Sequence, residues 1–139
     1  MSKSIATTIS KYNTLHIKNV SEICVFLELQ IHKNLKKSES KIWHGSPVWF
    51  IEGNPIVSYS VRKGDKVSLM FFSGKSFDEI DLQPEGKFKA AEILYTNVQE
   101  IQVPHLTRWL KKSMVIQWDY KNIVKRKGVL ERLKYYENN

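Results

Sequence analysis

The chain has 139 residues, 42% hydrophobic and 12% aromatic, with a formal net charge of +8. This length sets one domain over 1–139 with a core of its own, and the aromatic content excludes a disordered chain. The single cysteine, Cys24, excludes an internal disulfide and a cysteine-only metal cage, and it favours a reducing compartment.

Residues 1–18 are polar with scattered apolar positions, which predicts a loose start or a short element docked on the domain. Nothing in the first ten residues resembles a signal peptide. The longest apolar stretch, Ile23 to Leu29, falls far short of the ~20 residues that span a bilayer, so a soluble, cytoplasmic protein is expected.

A helix is predicted over Val20 to Lys37, with Val20, Ile23, Cys24, Leu27, Ile31 and Leu35 on one stripe. Asn19 is the expected cap, with Glu22 placed for a capping box. Val25, Phe26 and Leu29 widen the apolar face, which predicts burial on more than one side. Cys24 lies on the buried stripe and reads as a core residue.

Strands are predicted at Pro47–Ile51, Ile56–Val61, Val67–Phe72 and, after a polar loop from Ser73 to Lys87, Phe88–Tyr95. The separators Glu52-Gly53-Asn54-Pro55 and Arg62-Lys63-Gly64-Asp65 have turn chemistry, so the first three strands form an antiparallel meander that the fourth joins. Val57, Tyr59 and Val61 alternate with Ser58 and Ser60, giving a dry face and a wetter one. Trp49 and Phe50 point opposite ways, as do Phe71 and Phe72, so some of these rings line a groove, meet a second layer or stay exposed. The preferred ligand groove is formed by Trp43, His44, Pro47, Trp49 and Tyr59, since pockets are commonly lined by aromatic side chains.

A second helix is predicted from Pro104, with Leu106, Leu110 and Met114 aligned and Trp118 continuing the row. A further helical piece is expected over Tyr120–Lys127, stopped by Gly128. An amphipathic segment with Val129, Leu130, Leu133 and Tyr136 follows. Helix, antiparallel strands, then helices predicts an α+β fold, a two-layer sandwich with a sheet of about four strands and a basic helical extension from about residue 120.

Several chemistries fail on named residues. Ser73-Gly74-Lys75-Ser76 lacks the glycine of a P-loop five positions before Gly74, where Leu69 stands, and no GxGxxG or GxSxG occurs. His16, His32, His44 and His105 are far apart and form no zinc spacing. The acidic stretch at Asp78, Glu79, Asp81 and Glu85 does not match an EF-hand. It reads as a solvated loop, with Asp78, Glu79 and Asp81 as weak candidates for a metal. From Arg108 onward nine Lys/Arg face three Asp/Glu, six of the eight surplus charges. Lys121, Lys125, Arg126, Lys127, Arg132 and Lys134 are therefore candidate contacts for nucleic acid or another polyanion, if they are not simply a solvated surface.

The segment Ile42-Trp43-His44-Gly45-Ser46-Pro47-Val48-Trp49-Phe50 resembles the opening signature of the YdhG-like family of small bacterial proteins, a domain of unknown function. Val67-Ser68-Leu69-Met70-Phe71-Phe72-Ser73-Gly74 and Gly86-Lys87-Phe88-Lys89-Ala90-Ala91-Glu92-Ile93 look like its later strands. The resemblance covers about Val20 to Trp118. It implies an α+β fold with the same element order and, because some relatives carry an iron-chaperone or frataxin-like label, a binding protein with iron as cargo. The family supplies no agreed catalytic motif, so no catalytic residue is carried over. Three functions are thereby ranked: a carrier or adaptor with a ligand or protein partner, a polyanion binder, and an enzyme on a small molecule near Trp43 and Trp49.

Overall fold

A computed structural model describes residues 7–133. Helix α1 (Ile9–Thr14) opens the fold, with the Thr8 hydroxyl accepting from the Lys11 amide at 3.1 Å. This is the docked short element expected before the main helix, and it buries Ile9, Tyr12 and Asn13. Helix α2 (Lys18–Asn34) follows, then β1 (Glu39–Trp43), β2 (Ser46–Ile51), β3 (Asn54–Arg62) and β4 (Lys66–Phe71). A 3₁₀ turn at Gly74–Phe77 leads to β5 (Gln83–Pro84) and β6 (Ala91–Tyr95). Helix α3 (Val103–Val115) and the short strands β7 (Gln117–Trp118) and β8 (Arg132–Leu133) complete the order.

Six strands form one antiparallel sheet in the order β1-β2-β3-β4-β6-β5, two more strands than expected. The extra strands are the two edges. In β1 only Ile42 packs against the core, so its charged, solvated sequence carries no alternating apolar signal. Strand β5 is two residues long and ends in a proline, which an edge tolerates. Two tight hairpins set the register. His44 and Gly45 (φ +52° and +82°), and Glu52 and Gly53 (+51° and +81°), each supply the two left-handed positions that a two-residue connection between twisted strands requires.

The helices pack on one side of the sheet. Val20, Ile23, Cys24, Leu27 and Ile31 of α2, with Leu106, Trp109 and Leu110 of α3, meet Trp49, Val57, Tyr59, Leu69, Phe71 and Tyr95 in a single cluster. Tyr12 anchors α1 to the sheet by accepting from the Val61 amide at 3.0 Å. Burial pushes the Cys24 thiol up to about 12, which keeps it a protonated core group.

Several expectations are corrected. Helix α2 starts one residue before Asn19, which donates instead to the Thr96 carbonyl at 3.1 Å, and Ile17 occupies the cap position. Val25 and Leu29 are 50% and 62% exposed, because α2 meets the sheet on one side only. The loop expected over Ser73–Lys87 holds the 3₁₀ turn and β5, with Phe77 packed on Phe71 at 5.4 Å. The helix expected over Tyr120–Lys127 is a run of turns. Its apolar Val124 is 87% exposed, and Lys127 and Gly128 take positive φ, so the chain has neither a surface to pack on nor a path to continue the helix. Trp118 lies in β7, and Tyr136 lies outside the described residues. Among the described residues no helix is long and apolar enough to cross a membrane.

Candidate functional site

With all three helices on one side, the opposite face of the sheet is left to line a site. Strand alternation places Val48, Ser58, Ser60, Arg62, Ser68, Met70 and Glu92 on that open face. The β1–β2 turn adds Trp43 and His44 at one end, their rings 4.3 Å apart, and Trp43 leans edge-on against Phe50 at 5.5 Å. Lys41 covers the same Phe50 ring at 5.1 Å. Phe72 stands at the other end, braced by Tyr120 at 5.5 Å.

These residues enclose a groove of about 270 Å³ lined by Trp43, His44, Ser46, Val48, Ser58, Ser60, Arg62, Met70 and Phe72. An adjoining hollow of about 180 Å³ shares Met70 and Phe72 and continues to Phe88 and Tyr120. The Tyr120 hydroxyl accepts from the Lys89 amide at 3.0 Å, fixing the far wall.

The floor is polar. Glu92 accepts from Arg62 at 2.7 Å and from the Ser68 hydroxyl at 2.6 Å, a partly buried ion pair at one end. The Ser58 and Ser60 side-chain hydroxyls have no hydrogen-bond partner among the described residues, although Ser58 is only 7% exposed. A hydroxyl that opens onto the groove with no protein partner is available to a ligand that brings its own donor or acceptor. Aromatic walls, a thioether and two unpaired hydroxyls suit a small planar molecule with one hydrogen-bonding edge.

The five residues expected to form the groove separate. Trp43 and His44 line it. Trp49 and Tyr59 face the helices, 5.6 Å apart, where the Tyr59 hydroxyl donates to Asn13 at 2.6 Å and burial raises its pKa. Pro47 is buried on the Trp49 side of its strand. The missed residues are Ser46, Val48, Ser58, Ser60, Arg62, Met70 and Phe72. Their signal is the alternation itself, which sets the serines apart from Tyr59 and Phe72 apart from Phe71.

The acidic candidates do not converge. Glu79 is held by Arg108 at 2.7 and 2.8 Å and by Lys112 at 2.7 Å. Asp81 lies 3.6 Å from His105, and Asp78 is exposed. Among the described residues no group of three His, Cys, Asp or Glu side chains could hold a metal ion.

The basic candidates are also dispersed. Arg126 pairs with Asp119 and lies 3.4 Å from Glu131, and Lys121 donates to the Glu52 carbonyl at 3.0 Å. Lys125 and Lys127 are exposed on the turns, Arg132 is in β8, and Lys134 lies outside the described residues.

The α+β class is thus defined by a six-stranded antiparallel sheet covered by helices on one face. Comparison with protein-family models, with curated proteins and with solved structures finds no match in any of the three.

Proposed function

We propose that this chain is a binding protein for a small planar ligand, held without covalent chemistry in the groove on the open face of the sheet. The observation that carries the reading is the pair of hydroxyls, Ser58 and Ser60, that have no partner among the described residues and lie between the Trp43 and Phe72 walls. The groove volume suits a fragment-sized molecule, below the ~300–1,000 Å³ usual for drug-sized ligands.

We propose too that the chain is YdhG-like, on the strength of the Trp43–Phe50 block, whose first two residues wall the groove. Iron as cargo draws support from that resemblance alone, because Arg108 and Lys112 already engage both oxygens of Glu79.

The test is a two-dimensional NMR titration with a set of aromatic amides and carboxylates. The expected result is saturable shifts at Trp43, Ser58, Ser60, Met70 and Phe72. Trp43→Ala should weaken binding about tenfold, as expected when a stacking wall is removed. Shifts confined to the helical side, or none that saturate, would reject the groove as the site.

A further inference from the structure

On the helical side, away from the groove, α2 carries a second stripe. Lys18, Glu22, Val25 and Leu29 follow one another at spacings of four, three and four, with His32 and Lys33 next, and all six are exposed. The centre of the stripe is apolar and projects, with Leu29 62% exposed. The stripe itself forms one wall of a depression of about 480 Å³, whose lining includes His16, Glu22, Val25, Phe26, Leu29 and Val98. A projecting leucine at the rim of an apolar hollow is what a two-fold interface needs, because each copy offers the other both shapes.

The charges at the two ends of the apolar centre are opposite in sign. Glu22 lies toward the N-terminal end and Lys33 toward the C-terminal end, and neither has an ion-pair or hydrogen-bond partner among the described residues. We propose that α2 docks on α2 of a second copy of this chain, antiparallel, about a two-fold axis between Val25 and Leu29. Leu29 of each copy then enters the hollow beside the partner's Val25, and Glu22 meets the partner's Lys33, twice by symmetry. A parallel arrangement would oppose Glu22 to the partner's Glu22, so charge selects the orientation. One helix face is small beside the ~800 Å² per partner of a standard interface, so the dimer is weak.

Sedimentation equilibrium of the full chain, carried up to about 1 mM to reach weak association, reads the proposal directly. The wild type should pass from monomer to dimer with rising concentration, and Leu29→Asp should remain monomeric. Leu29 is a surface position, and an unchanged melting curve confirms that this variant is folded. Glu22→Lys should weaken association about fivefold, the scale for two exposed pairs turned repulsive, and Glu22→Lys combined with Lys33→Glu should restore it. A monomer at every concentration, a dimer unaffected by Leu29→Asp, or a double variant as weak as the single one each overturns the proposal. None of these outcomes bears on ligand binding in the groove.

Discussion

Glu79 shows how one side chain is committed by partners distant in the chain. Arg108 grips its carboxylate through two nitrogens, and Lys112 adds a bond at 2.7 Å while donating to the Phe77 carbonyl at the same distance. The Arg108 bond, with Lys112 behind it, holds the Glu79 carboxyl far below the ordinary glutamate range, against the opposing effect of burial. The unfolded chain takes up this proton at about pH 4.3, the folded chain only much lower, so between those values the unfolded state binds more protons and stability climbs with pH. The contribution is complete above the ordinary range and drains away as the pH falls below it. Glu79→Gln should lower unfolding free energy at pH 7 by about 1–2 kcal/mol, after discounting for the solvated Arg108 side of the pair. Urea titrations at pH 7 and pH 3 should show the gap between variant and wild type narrowing in acid, and a constant gap would refute the assignment. In the sequence this residue is one of a run of acids and invites a metal reading. The run shows where negative charge collects, but not that α3 brings two cations back to it. Trp43 and His44 are legible for the opposite reason: the turn that positions them is encoded by the adjacent Gly45.

At the scale of elements, the internal strands and α3 are written locally, through alternation and through Pro104. The edge strand β1 and the C-terminal segment are not. Their conformations depend on what they touch: β1 is held by its ladder to β2, and the segment from β7 onward by side chains from other elements. Asn54, 2% exposed at the start of β3, is the main clamp. Its amide donates to the Gln117 side chain at 3.1 Å and to the Trp118 carbonyl at 3.0 Å, and its oxygen accepts from the Lys121 amide at 3.0 Å. Ser73 accepts from the Trp118 amide at 2.9 Å, and Asp119 accepts from Asn122 and Arg126 to close the turn that follows. Asn54→Ala removes three bonds at a buried position and should destabilise the fold by about 2–3 kcal/mol. Hydrogen exchange at the Lys121 amide should accelerate beyond that global loss, because its acceptor is gone. Exchange at Lys121 rising only in step with core amides would show that Asn54 does not clamp this segment. Because Tyr120 forms the far wall of the groove, the same substitution should also loosen the adjoining hollow.

For the whole molecule, the decisive property is that the helices cover only one face of the sheet. The apolar excess of α2 reads in sequence as burial on several sides, yet Val25 and Leu29 remain exposed. Periodicity identifies which residues share a face and is silent on how many neighbours arrive. The same one-sidedness divides the four tryptophans. Trp49 and Trp109, at 0% and 2% exposure, belong to the helix–sheet core, whereas Trp43 stands 36% exposed on the open side. Trp118 is partly buried, with the Lys89 ammonium 4.4 Å from its ring. Iodide, an anion drawn toward a chain of net charge +8, should therefore quench Trp43 well ahead of the two core rings. Trp43→Phe should lower the native Stern–Volmer slope, leaving the share contributed by the partly buried Trp118, and both proteins should become strongly quenchable once unfolded in guanidinium. An unchanged slope in the variant would mean that the open face is covered. Saturating the groove with a bound aromatic amide should reproduce the effect of Trp43→Phe in the wild type, so one fluorescence measurement connects the layering of the fold to occupancy of its site.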